Sequence, residues 1–217
     1  MTTTDRKAWE QEQRRTRIID KAETVFFRSG YDKATLPAIA EAAGYNKRTL
    51  YLYFKDREEI FLAVVLRSLS RLQAALETAG ESCDRGSSRL AGLAEAFFDF
   101  STNHPDDLDL IMIYETRYFA YHDPTASTIP DSYFERCQQR SEAIARLVTS
   151  AIESGMALGS IKTDLTPRQL MLILWGQILG VMKILRIREK NFTVAFGIGR
   201  RTLFECFVGM VERSLAE

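Results

Sequence analysis

An all-α fold of about nine helices is what this sequence predicts, and three observations carry the prediction. Apolar residues recur at helical spacing along most of the chain, and no stretch alternates as a strand would. Gly and Pro are few, 12 and 5 among 217 residues, and they fall where helices should start or stop. With 46% hydrophobic and 27% charged residues, the composition is that of a folded globular chain rather than a disordered one.

The first helix is expected from about Glu10 to Ser29, because Ile18, Ile19, Ala22, Val25 and Phe26 form one apolar stripe with arginines opposite. Gly30 follows as a left-handed cap. Thr35 suits the N-cap of a short second helix, Leu36 to Ala43, with Pro37 in a first turn where a missing N–H costs little. Its alanines permit close packing, and Gly44 ends it. Asn46 caps a third helix that carries Lys47, Arg48, Thr49, Leu50 and Tyr51 at its front. Asp56 caps a long fourth helix running from Arg57 towards Thr78, with Glu58 and Glu59 where the helix dipole favours them. Phe26, Ile39, Leu50, Phe54 and Ile60 are the expected miniature core of this unit.

Further on, Gly80 to Ser88 reads as a loop, Arg89 to Thr102 as a helix, and Asn103-His104-Pro105 as a break. Asp106 opens a helix to about Phe119, and Tyr121 to Pro130 reads as a loop. Helix resumes from Asp131 to Met156, stops near Gly155 to Gly159, and restarts behind Thr166 with Pro167 in first position. The last two helices are expected over 167–189 and 192–215. The domain boundary is expected between residues 56 and 57, with a three-helix helix-turn-helix unit, 1–56, before it and a larger helical body, 57–217, after it.

Bulk properties exclude several function classes. The chain opens MTTTDRKAWEQEQRRTR, polar throughout, with no resemblance to a signal peptide. The longest apolar run, Leu170 to Val181, is shorter than a bilayer requires, so a cytoplasmic location with no membrane partner is expected. Cys83, Cys137 and Cys206 lack the paired spacing of a zinc site and read as reduced thiols. His104 and His122 have no ligand-spaced neighbours, so neither a metal nor a cofactor is expected. No GxSxG, HExxH, phosphate loop or dinucleotide fingerprint occurs, and the Asp106-Asp107 and Glu58-Glu59 pairs are explained by helix N-termini, which argues against an enzyme.

The net charge is zero, which looks unpromising for a nucleic-acid binder. Local distribution says otherwise. Lys47, Arg48, Lys55 and Arg57 stand against Asp56 alone, while Arg6, Lys7, Arg14, Arg15, Arg17 and Lys21 cluster before and along the first helix. Two short helices broken by a glycine, the second opening on a cationic tip, are the architecture that offers side chains to base edges in the major groove. Lys47 and Arg48 are the candidates for guanine edges, where a bidentate arginine is worth about 1–3 kcal/mol of discrimination. Thr49, Tyr51 and Tyr53 suit phosphates and register; the alternative is that the tyrosines are half-buried edges of the small core and the charges a solvated face.

The run Gly30-Tyr31, Thr35-Leu36, Ile39-Ala40-Glu41, Ala43-Gly44-Tyr45-Asn46-Lys47-Arg48-Thr49-Leu50-Tyr51, Tyr53-Phe54-Lys55 and Arg57-Glu58-Glu59 closely resembles the N-terminal signature of TetR-family transcriptional regulators. Arg48 stands where small residues such as Gly are common in that family, and Arg57 where Lys is usual. The resemblance implies contacts to a palindromic double-stranded DNA operator through Thr35, Asn46, Lys47, Arg48, Thr49, Tyr51, Tyr53, Lys55 and Arg57. It also implies a homodimer whose C-terminal helices sense a small-molecule effector, most often as a repressor. A helical adaptor that keeps the fold without binding DNA is the alternative.

Dimerisation has support of its own. Leu170 to Leu185 is apolar almost all round, so both faces should be covered, one by the chain's own core and the other by a partner. Gly197, Gly199 and Gly209 are expected to allow close backbone approach there. For the effector, the candidates are Phe97, Phe100, Met112, Tyr114, Tyr118, Phe134, Trp175, Leu179 and Met182, with Glu115, Arg117 or Gln177 as polar anchors. Taken singly, each of these aromatics reads first as ordinary core, since stripes at this spacing usually pack rather than bind.

Overall fold

The structure is a computed structural model that describes residues 3–82, 87–117 and 129–216. Among them are nine α-helices and no strand: α1 (Thr3–Ser29), α2 (Leu36–Ala43), α3 (Lys47–Leu50), α4 (Arg57–Ser82), α5 (Ser87–Asn103), α6 (Pro105–Arg117), α7 (Tyr133–Ala157), α8 (Pro167–Phe196) and α9 (Arg200–Ala216).

Four boundaries differ from expectation, each for a local reason. α1 starts at Thr3 instead of near Glu10, because its polar opening still forms helix, helped by the Arg6–Glu10 pair at 3.1 Å across one turn. α4 continues through Gly80 to Ser82, so the expected loop starts later. α3 is only four residues long, with Tyr51 as its C-cap. α8 runs unbroken to Phe196, and the stop expected near 190 lies instead at Gly197, whose φ of 67° is left-handed. Phe196, Gly197 and Gly199 therefore belong to the end of α8 and the turn after it, not to the last helix. Tyr118, Phe119, His122 and Cys83 lie outside the described residues.

Packing within the chain defines two compact units, Met1–Ser70 with Asp106–Arg140, and Arg71–Pro105 with Ser141–Glu217. In the first, Ile18, Ala22 and Phe26 of α1, Ile39 of α2, Leu50 of α3, Phe54, and Ile60 and Phe61 of α4 are all buried, which is the miniature core expected from the pattern. Arg67 of α4 clamps the other flank of α1 through Asp20 at 2.6 Å. The buried Ser68 hydroxyl of α4 donates to Asp107 of α6 at 2.6 Å, so that carboxylate does more than complement a helix end. The Cys137 thiol of α7 is sealed under the Leu62 carbonyl at 3.4 Å, and burial raises its pKa to about 12.

In the second unit, Ile152, Ile161, Leu170, Met171 and Leu215 form a common core of α7, α8 and α9. α5 packs on α9 through Phe98 and Phe204, whose rings stack at 4.4 Å, and Arg201 ties the pair at their surface through Glu95 at 2.8 Å. Gly155 sits in α7 because Ile161 crosses it: a Cβ there would lie 2.5 Å from the Ile161 Cδ1. Cys206 on α9 is exposed. Along one side of α8, Ile173, Gly176, Gly180, Ile184, Ile187 and Val194 recur at helical spacing, and the four aliphatic side chains among them are all exposed.

Candidate nucleic-acid interface

Two side-chain caps set the geometry of the α2–α3 pair. The Thr35 hydroxyl accepts from the Ala38 N–H at 3.3 Å and starts α2. The Asn46 Oδ1 accepts from the Thr49 N–H at 2.9 Å and from its hydroxyl at 3.0 Å, and starts α3. Between them the chain must reverse within three residues. Gly44 allows it at φ 74°, its N–H reaching the Ala40 and Glu41 carbonyls, while the Tyr45 N–H closes on Ala40 at 2.9 Å.

Leu50 is buried beneath α3, so the helix has a fixed inward side and a fixed outward one. Outward lie Asn46, Lys47, Arg48 and Tyr51, all exposed, with Thr49 and Tyr53 half-buried. The Lys47 ammonium rests 5.7 Å from the centre of the Tyr51 ring, a cation–π contact that holds an otherwise flexible chain over the tip. Thr35 and Lys55 are exposed at the flanks. The Lys55 N–H is held by the Glu59 carboxylate, and Asp56 caps α4 through the Glu59 N–H at 2.8 Å.

Arg57 has a different environment from the other candidates. Its Nη1 donates to the carbonyls of Tyr31 at 3.0 Å and Ala34 at 2.9 Å, its Nη2 pairs with Glu58 at 3.3 Å, and its guanidinium lies 4.3 Å from the centre of the Tyr31 ring. A second cation on that ring is Arg117 of α6, at 4.6 Å, which also reaches Asp32 at 3.3 Å. The Tyr31 hydroxyl donates to Glu58 at 2.6–2.7 Å. A lysine at position 57 could not make this planar fork, which gives a structural reason for arginine here.

Several residues of this surface were not singled out from sequence as contacts. The Tyr53 hydroxyl raises the pKa of Arg14, and Arg17 lies 5.8 Å from the centre of the Tyr45 ring. Both rings flank α3, so α1 supplies cations beside the tip. Leu52, 76% exposed, stands just past α3 where an apolar side chain can meet only solvent or a ligand surface. The alternation of exposed and buried positions after Leu50 depends on how α3 ends, and periodicity does not report that.

The effector candidates fall into both compact units. In the first, Tyr114 is buried with its ring 6.4 Å from that of Phe134, Met112 is half-buried, and burial lifts the Glu115 carboxyl to about 7. In the second, Phe97 meets Trp175 edge-on at 5.9 Å, Phe100 is buried against His104 at 5.2 Å, and Leu179 is half-buried. Met182 is buried in α8. Gln177 lies on the exposed side of α8, because two residues turn a helix by about 200° away from Trp175. Tyr118 is outside the described residues. Arg117, offered as a polar anchor, is engaged with Tyr31 and Asp32 as above.

A capped helix, a glycine reversal and a second capped helix with an exposed cationic tip define a helix-turn-helix DNA-reading unit. Residues 18–64 match the family of bacterial regulatory proteins described as tetR. Over these residues the chain carries a tetR-type N-terminal domain. It is 32% identical over 108 residues to the HTH-type transcriptional activator FasR of Mycolicibacterium smegmatis, covering 50% of this chain and 48% of that protein. The chain thus spans about half the length of that relative in their alignment. A tetR-family regulatory protein from Rhodococcus RHA1 superposes with a TM-score of 0.67 at 18% identity, covering 93% of this chain and 96% of that one. The transcriptional regulator FadR from Bacillus subtilis, solved with stearoyl-CoA, gives 0.66 at 17%, covering 90% and 96%. These two likenesses extend the shared fold through the C-terminal helices.

Proposed function

We propose that this chain is a ligand-responsive transcriptional regulator that grips a palindromic operator as a homodimer and lets go when a small apolar or amphipathic molecule binds. The observation that carries the reading is the exposed Lys47–Arg48 tip, held outward by the Asn46 cap above the buried Leu50. Lys47 and Arg48 read base edges, Thr35, Asn46, Thr49, Tyr51, Tyr53 and Lys55 hold backbone and register, and Arg57 positions the pair from behind. The exposed stripe on α8 is the seat of the second copy, as two bare glycines among four aliphatic side chains invite a close helix approach. The expected functional boundary at 56/57 belongs to the same proposal.

For the effector, the aromatic pair Tyr114–Phe134 beside the carboxyl of Glu115 in the first unit supports an amphipathic molecule, and the Phe97–Trp175 pair in the second unit is a separate candidate. The stearoyl-CoA in the FadR structure makes a long-chain acyl thioester the first class to try. Repression needs only occupancy of the promoter. The activator name of FasR favours a second reading, and a reporter fused to the chain's own promoter separates the two by the sign of its response.

Anisotropy titration of the upstream duplex of its own gene is the test. Tight, strongly salt-dependent binding is expected for the wild type, with loss of the preference for that sequence in Lys47→Ala/Arg48→Ala. Equal binding by that variant would reject the reading, and a cellular phenotype untouched by it would point to the adaptor alternative.

A further inference from the structure

We propose that the N-terminal half of α1 is a second DNA-binding element, a helical arm that lies along the phosphates flanking the sequence read by α3. The proposal rests on the DNA-reading role of α3 and adds a partner surface to it.

The buried stripe of α1 begins only at Ile18. Before it, the described side chains from Asp5 to Arg14 are exposed, with Glu10 half-covered, so this stretch of helix projects its charges to solvent instead of packing on the core. From Arg14 back to Thr3 is roughly 16 Å of helix at 1.5 Å per residue. At 100° per residue, Lys7, Arg14 and Lys21 line up at heptad spacing, and Arg6, Arg17 and Arg28 fall within about 100° of them. Glu10 interrupts that side, and it braces Arg6 at 3.1 Å. Asp5, Glu12, Asp20 and Glu23 fall on the other flank, where Arg67 of α4 collects Asp20 and Glu23.

The basic flank is also the one turned towards the reading helix. Arg17 sits over Tyr45 and the Tyr53 hydroxyl raises the pKa of Arg14, so the stripe runs beside α3 and continues past it towards Arg6 and Lys7. A cationic line, broken only by Glu10 and joined to a base-reading tip, matches a polyanion of regular spacing. A membrane surface is a poorer match, because the arm has no apolar face beyond Ala8 and Trp9. Duplex DNA is therefore the partner, and the arm adds roughly five base pairs of contact at 3.4 Å each.

The experiment compares full-length wild type, Arg6→Gln/Lys7→Gln, Lys21→Gln, and a charge-matched control, Lys162→Gln/Arg168→Gln, on a 30-base-pair duplex of random sequence. The slope of log affinity against log salt is read. Each cation withdrawn from a phosphate should flatten it by about 0.9, so about 2 per arm for the double variant and about 0.9 for Lys21→Gln, with the control unchanged. Circular dichroism confirms that the exposed substitutions leave the fold intact. An unchanged slope in the arm variants, or an equal change in the control, would overturn the arm. If instead the wild type binds no duplex in a salt-dependent manner, the helix-turn-helix reading itself fails, and the arm with it.

Discussion

At Arg57 one guanidinium holds two backbone carbonyls, a carboxylate and an aromatic face, and this is where a conservative change should be least tolerated. Arg57→Lys keeps the charge but can satisfy only part of that set, so a loss of about 1–2 kcal/mol in stability is expected in denaturant titration. DNA affinity should fall with it while the preference among sequences persists, since Lys47 and Arg48 are untouched. Glu115 makes a pH prediction. Burial raises its folded pKa from 4.5 to about 7, so between those values the unfolded chain has lost the proton that the folded chain still holds. Stability therefore falls as pH rises from about 4.5 to about 7 and is level above. Glu115→Gln should raise the melting temperature at pH 8, by roughly 2–4 °C for each kcal/mol relieved, and leave it nearly unchanged at pH 4. Arg57 was legible in sequence as a cation at a helix start. That it faces inward was not, because its partners at Tyr31 and Ala34 are carbonyls, which carry no sequence signal.

Among the elements, the short-range punctuation was readable and the long-range packing was not. Thr35, Gly44, Asn46, Asp56 and Thr166 cap where turn chemistry places them, since each bond is made within a few residues. The ends of α1 and α8 were misplaced because a polar helix and a helix past its apolar run leave no periodic trace. Gly155 shows the limit most clearly. Its neighbours spell a good helix, and a helix-interior glycine ordinarily gains about 1 kcal/mol when changed to alanine. Here the added methyl would meet Ile161 at 2.5 Å, so Gly155→Ala should instead destabilise by about 1–3 kcal/mol. Gly155→Ala/Ile161→Val, which removes part of the obstruction, should recover some of that loss.

For the whole molecule, the question that one chain poses is what covers α8. Of the large hydrophobics that stand exposed, Leu172, Ile173, Ile184, Ile187, Val194 and Phe196 are on this helix, with Ile198 in the turn after it and Met210 on α9. A patch of that extent is rarely left to water. Ile184→Asp/Ile187→Asp should convert a dimer into a monomer in sedimentation and weaken operator binding, while a variant that sediments like the wild type would place the contact elsewhere. The fold class was legible because helix period and capping repeat along the whole chain. The effector residues were not, since an aromatic at helical spacing looks the same whether it packs or binds.

The two described thiols give this molecule a reporter of its own. One sulfur is sealed and reluctant to ionise at about 12, while the other lies open on α9. With Cys83 replaced by Ser, a maleimide dye at neutral pH should mark Cys206 alone. If α9 borders the twofold contact, labelling will slow as protein concentration rises, and the dye's brightness will follow association without any engineered tag.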